Sequence, residues 1–119
     1  MATFKKRLLS GCVDGKAIKI AAIATAGTLI HTAVAGQVAG TYDEIWLWAY
    51  NYNESMVILT LEWGGVSVPD NITRYYLPGG AVEIPLKSGK ILQNGLVVGA
   101  FATKANVITI DGFVNQITD

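Results

Sequence analysis

Few side chains in this chain of 119 residues can do chemistry, and their spacing limits what they can do. There is one histidine, His31, and one cysteine, Cys12. A zinc site takes three or four nitrogen, sulfur or carboxylate donors, and one of each with no carboxylate placed beside them does not build one. Ser10, Ser55, Ser67 and Ser88 lie in polar or turn-like surroundings, none in the strand-to-helix elbow that presents a hydrolase serine. Two acid pairs stand out, Asp43 with Glu44 and Glu54 with Glu62. Neighbours on a strand point to opposite faces, so Asp43 and Glu44 should not work together. Gly64-Gly65 and Gly79-Gly80 lack the spacing and the following helix of a phosphate loop. The expectation is no catalysis, no metal and no cofactor. A lone cysteine also excludes an internal disulfide, leaving Cys12 as a small packing residue.

Two surface chemistries remain. The first is aromatic: Trp46, Trp48, Tyr50, Tyr52, Trp63, Tyr75 and Tyr76. Such rings stack on sugars or bases, or they fill cores and interfaces. The interface reading is taken for Trp46, Trp48, Tyr50 and Trp63. The second is basic: Lys5, Lys6 and Arg7, followed by Leu8 and Leu9. Residues 1–19 hold five cations against one carboxylate, a net +4, and residues 20–119 carry the balancing −4 because the total is zero. A basic start on an acidic body suggests an arm, or an edge strand, that docks on a negative surface. A solvated terminus is the plainer reading.

The elements that position these groups read as strands. Tyr42 to Tyr50 and Met56 to Trp63 are rich in β-branched and aromatic residues and flank the polar run 51–55, a hairpin signature. Alternation places Ile45, Leu47 and Ala49 on one face and Trp46, Trp48 and Tyr50 on the other. Both faces are apolar, so the strand should be covered on both sides, by the core and by a second layer, a partner or a flat ligand. Lys16 to Ile23 and Thr28 to Ala33 read as strands around a turn at 25–27. Further strands are expected at Ile72 to Leu77, Ala81 to Leu86, Leu96 to Ala102, Val107 to Ile110 and Gly112 to Ile117. Pro85 places its strand at an edge, and Asn94-Gly95 is a dipeptide favoured in hairpins.

With 51% apolar and 15% charged residues, the chain has the composition of one folded domain rather than a disordered tail. Residues 20–40 carry no formal charge, but Thr, Gly, His and Gln interrupt them, which is poor content for a membrane helix. Leu9-Ser10-Gly11-Cys12 has the form of a lipoprotein cleavage site. Only Leu8 and Leu9 precede it after Arg7, where a signal has roughly 7–15 apolar residues. Asn53-Glu54-Ser55 and Asn71-Ile72-Thr73 match the glycosylation triplet, without an export signal to give it meaning. Short turn-bounded strands without helical periodicity indicate an all-β antiparallel sandwich, jelly-roll-like or Ig-like, of about eight strands. Residues 20–119 form the sandwich domain and 1–19 the arm or edge strand.

Four runs together resemble small β-sandwich structural proteins of tailed bacteriophages. They are Ala39 to Asn51, Val57 to Gly65, Leu92 to Val98 with Ala100 to Ala102, and Asn106 to Ile117. The nearest in character are the capsid decoration, or cement, proteins. The resemblance spans roughly residues 28–117. It implies a virion component without enzymatic activity, made in the host cytoplasm, commonly a homotrimer, bound to the major capsid protein on the outside of the head shell and stabilising it. No nucleic acid or membrane partner is implied. A tail or head–tail junction protein would look similar, and a carbohydrate-binding module is the reading outside that class. Lys5 to Leu9 lie beyond the resemblance, so their attachment role rests on charge alone. The doubly apolar strand at Ile45–Tyr50 and the apolar run Leu96 to Ala102 favour a homo-oligomer.

Overall fold

A computed structural model describes residues 2–80 and 82–118. Strong β-formers in short runs, cut by glycine, proline and asparagine, give nine strands among the described residues: β1 (Thr3–Arg7), β2 (Ile18–Lys19), β3 (Thr28–Thr32), β4 (Tyr42–Asn51), β5 (Val57–Trp63), β6 (Ile72–Leu77), β7 (Glu83–Leu92), β8 (Val97–Ala102) and β9 (Ile108–Thr118). They build an antiparallel β-sandwich. The first sheet runs β1-β9-β4-β7, with β2 also paired to β9, and the second runs β3-β8-β5-β6. Among the described residues no helix is long and apolar enough to cross a membrane.

The core lies between the sheets. Ile45, Leu47 and Ala49 of β4 and Ile108, Ile110 and Val114 of β9 meet Leu59 and Leu61 of β5 and Val98, Ala100 and Ala102 of β8, and all of them are buried. Burial alternates residue by residue along the whole of β4, as the two-residue period requires.

The expected hairpin does not form. β4 pairs with β7 and β9, whereas β5 pairs with β6 and β8. Residues 51–56 therefore carry the chain from one sheet to the other. Asn51, buried at the end of β4, holds this corner. Its Nδ2 donates to the carbonyls of Ser55 and Leu77 at 3.1 and 3.0 Å, and its Oδ1 accepts from the Asn53 amide at 2.9 Å. Two flanking apolar strands suit an arch between sheets as well as a hairpin, and strand composition does not distinguish them. Asn94-Gly95 is likewise a tight turn with both residues at positive φ, yet it joins β7 and β8 of different sheets.

Other boundaries shift. The strand read over Lys16 to Ile23 is only the short β2, and the two strands read over Val107 to Ile110 and Gly112 to Ile117 are one, β9. The start of the strand read over Ala81 to Leu86 lies outside the described residues, and β7 runs on through Leu92. Pro85 does sit in an edge strand, since β7 closes its sheet. Thr3–Arg7 are not a free arm: they are the other edge strand, zipped to Val114–Thr118 of β9. Leu9, which follows, is 2% exposed and belongs to the core, while Leu8 points to solvent.

Candidate functional site

The outer face of the first sheet carries the densest group of aromatic rings. Strand register builds it. β9 sets Phe113 opposite Trp46, Asp111 opposite Trp48 and Thr109 opposite Tyr50. β7 sets Glu83 opposite Tyr50 and Pro85 opposite Trp48. Trp46, Trp48 and Tyr50 are half-buried, so their outer sides meet neighbouring side chains and solvent rather than a second layer.

The rings form two stacks. Phe113 lies between Trp46, at 5.9 Å and 10° between planes, and Trp48, at 6.1 Å and 27°. Tyr50 stacks on Tyr52 at 6.4 Å and 26°. Offset stacks of this kind contribute about 0.5–1.5 kcal/mol per pair beyond burial. Lys6 of β1 places its ammonium 4.4 Å from the Phe113 ring centre, within range of a cation–π attraction. Glu44 ties the stack down, accepting from Trp46 Nε1 at 2.9 Å and Asn115 Nδ2 at 3.2 Å.

A shallow cavity of about 340 Å³ lies on this face, lined by Trp48, Tyr50, Glu83, Asp111, Phe113 and two glycines, Gly15 and Gly112. Gly112 is required there, because a Cβ would fall 1.9 Å from the Trp46 carbonyl oxygen. The lack of a side chain is what lets β9 approach β4 beneath the tryptophans. The Glu83 carboxylate accepts from the Tyr50 hydroxyl, and that bond, with burial second, pushes the phenol from its ordinary 10.0 up to about 12. Burial, then repulsion from Glu83, raises the Asp111 carboxyl. Among the described residues neither Glu83 nor Asp111 is in a salt bridge.

The other expected residues lie elsewhere. Trp63 packs against the core from the second sheet, with the Lys87 ammonium 5.2 Å from its ring, so it is not part of the Trp46–Trp48–Tyr50 face. Tyr75 packs against the core and donates its hydroxyl to the Leu86 carbonyl at 2.8 Å, and Tyr76 is exposed on β6. Phe113, Asp111 and Glu83 were not among the expected site residues. Alternation along 109–117 marks Asp111 and Phe113 as outward-facing, but their neighbours follow only from the pairing of β9 and β7 with β4.

Lys5, Lys6, Arg7, Leu8 and Leu9 line a groove of about 530 Å³ at the β1 edge, together with Ser10, His31 and Asp43. Its floor is a hydrogen-bonded chain. Arg7 Nε donates to Gln116 Oε1 at 3.0 Å, and Gln116 Nε2 donates to Asp43 Oδ1 at 3.2 Å. Asp43 Oδ2 lies 2.7 Å from His31 Nε2 and accepts from the Val34 amide at 3.1 Å. His31 Nδ1 accepts from the Ser10 amide at 2.9 Å, which fixes the proton of the neutral ring on Nε2, facing Asp43. Ser10 Oγ accepts from the Thr32 amide. The Ser–His–Asp set thus holds the chain in place, with the serine joined to the ring through its backbone rather than its hydroxyl.

Both acid pairs separate, Asp43 from Glu44 as alternation requires. Asp43 is buried and Glu44 is on the outer face. Glu62 is 4% exposed and accepts from the Gly27 amide at 2.7 Å and the Thr25 hydroxyl, whereas Glu54 is exposed at the corner. Cys12 is half-buried and packs against the core. Among the described residues no three His, Cys, Asp or Glu side chains group as a metal site would. No family model, curated protein or solved structure matches the chain.

Proposed function

We propose that this β-sandwich is a non-enzymatic structural protein of a tailed-phage virion, a decoration protein that docks on the outside of the head shell and stabilises it. The observation that carries the reading is the outer face of the first sheet. It presents Trp46, Trp48, Tyr50 and Phe113 half-exposed, beside the fully exposed basic strand β1. Half-exposed aromatic clusters rimmed by charge are what docking surfaces use. The rings lie against one another, so each covers part of its neighbour's face. That favours a protein surface over a flat sugar platform, which needs open ring faces. The resemblance of residues 28–117 to decoration proteins supplies the class of partner, the major capsid protein, and a homotrimer as the assembly.

Co-sedimentation with undecorated capsids tests this directly. The wild-type chain should pellet with the shells at low and moderate salt, and Trp48→Ala should pellet at least about tenfold less at equal concentration. Binding to tail tubes and not to heads would move the protein to the tail. Binding to neither would overturn the virion reading. Light scattering at micromolar concentration checks the trimer, and a monomer there refutes it.

A further inference from the structure

The geometry points to a cation slot on the docking face: the cavity between Trp48 and Tyr50 accepts the guanidinium of an arginine on the surface to which this chain binds. The slot itself is argued from the structure alone, while the source of the arginine rests on the docking reading above.

Trp48 and Tyr50 are two residues apart on the same face of β4 but belong to different stacks, Trp46–Phe113–Trp48 and Tyr50–Tyr52. The cavity is lined by the ring that ends one stack and the ring that begins the other. Its two carboxylates come from the strands flanking β4: Asp111 from β9, opposite Trp48, and Glu83 from β7, opposite Tyr50. A planar cation between the two rings gains attraction from their faces, and its N–H groups fan out towards acceptors on both sides. An ammonium is a point charge and meets the same set less completely.

The charges point the same way. The half-buried Asp111 and the exposed Glu83 share one cavity, among the described residues neither is in a salt bridge, and the charge of Glu83 makes ionisation of Asp111 harder. A bound cation removes that repulsion. The face already holds one cation, Lys6 over Phe113, so the aromatic stack is suited to the role. The chain's own arginines are not the natural occupants. Arg7 is held by Gln116 at the β1 edge, and Arg74 lies exposed on β6 of the opposite sheet.

The test is titration of the full-length protein with N-acetyl-arginine amide at millimolar concentration, followed by NMR at the Trp48 indole N–H. N-acetyl-citrulline amide, with the same shape and no charge, is the control. The arginine probe should shift Trp48 saturably and the citrulline probe should bind at least about tenfold more weakly. Asp111→Asn and Glu83→Gln keep the size of each side chain and should each weaken the arginine probe about tenfold, with unchanged circular dichroism. Equal binding of the two probes, or no effect of either substitution, overturns the slot. So does a Trp48 shift by maltohexaose with none by the arginine probe, which would make the site a glycan subsite. If Arg74→Ala or Arg7→Ala abolishes self-association together with Asp111→Asn, the arginine comes from a second copy and the assigned source is wrong. A chain that binds the probe but not capsids keeps the slot and loses the virion reading.

Discussion

Replacing Asp43 tests whether the buried His31–Asp43 network, rather than strand pairing alone, fixes the N-terminal segment. Asp43 is 2% exposed and its carboxylate serves three donors: His31 Nε2, the Val34 amide and Gln116 Nε2. Asp43→Ala leaves all three without an acceptor. Each buried donor left unpaired costs about 1–3 kcal/mol, so losing the acceptor of His31 Nε2 and of the Val34 amide together removes a large part of the roughly 5–15 kcal/mol that holds a domain folded. Asp43→Asn has a different outcome. Its amide oxygen can still accept from His31 and Val34, while its NH₂ group faces Gln116. Gln116 must then turn its oxygen inwards, which sets its own NH₂ against Arg7 Nε. That conflict falls on an exposed side chain, where water resolves it, so the cost should be only about 1–2 kcal/mol. Arg7→Ala, at the exposed end, should cost about 0.5 kcal/mol or less. Urea unfolding followed by tryptophan fluorescence gives all three values. The expected order is Asp43→Ala far worst, Asp43→Asn intermediate and Arg7→Ala near neutral. Asp43→Ala within about 0.5 kcal/mol of wild type, or Asp43→Asn as damaging as Asp43→Ala, would refute the donor–acceptor assignment.

Three further outcomes follow from single contacts. Leu9→Ala removes a side chain that is 2% exposed and should lower stability by about 2–4 kcal/mol in urea unfolding, whereas Leu8→Ala, one residue earlier and exposed, should change it little. Asp111→Asn should raise the melting temperature near neutral pH and not in strong acid. The carboxyl is raised in the folded chain by burial and by Glu83, so the unfolded chain gives up its proton first and stability falls as pH rises through that window. The asparagine lacks this loss, and its advantage should vanish below the ordinary carboxylate range; a constant advantage at all pH values counts against the cause given. Glu83→Gln should bring the Tyr50 phenol down from about 12 towards 10.0, read from its ring signals in an alkaline NMR titration.

How far the sequence carries depends on the range of the interaction. Alternation along Tyr42–Asn51 gives the inner and outer faces of β4 correctly, because the two-residue period belongs to the strand itself. It also separates Asp43 from Glu44. Pro85 marks an edge strand because proline lacks the N–H that an inner strand must donate. Pairing across the sandwich is not legible in the same way. The apolar runs on either side of Asn51–Met56 suit a hairpin or an arch equally, and the arch goes with distant pairings, β4 with β7 and β9 and β5 with β6 and β8, and with the Asn51 side chain bonding the Leu77 carbonyl, 26 residues away. The site suffers most from this. Trp46, Trp48 and Tyr50 can be placed on one face from their spacing, but Phe113, Asp111 and Glu83 join them only through the register of β9 and β7. Trp63, grouped with them by composition, packs against the core from the other sheet.

The first sheet therefore carries an ordered sequence of chemistries across its outer face. β1 forms one edge and brings Lys6 over Phe113; its neighbours Lys5 and Arg7 are exposed beside it. β9 and β4 supply the aromatic stack in the middle. β7 forms the opposite edge and brings Glu83, while Asp111 stands on β9 beside the aromatic stack. A uniformly charged face attracts a partner in any in-plane orientation. A face that is basic at the β1 edge, apolar in the centre and carries the Glu83 carboxylate at the β7 edge matches an opposed pattern in one orientation and meets like charge when turned round. Like-charge contact of that kind costs several kcal/mol at an interface, while rim charges mainly speed encounter. The same arrangement explains why β1 is fixed as an edge strand with Leu9 buried behind it: a mobile arm would carry the same charge but could not hold it at a set distance from the aromatic centre. Strand order, more than composition, makes this surface directional.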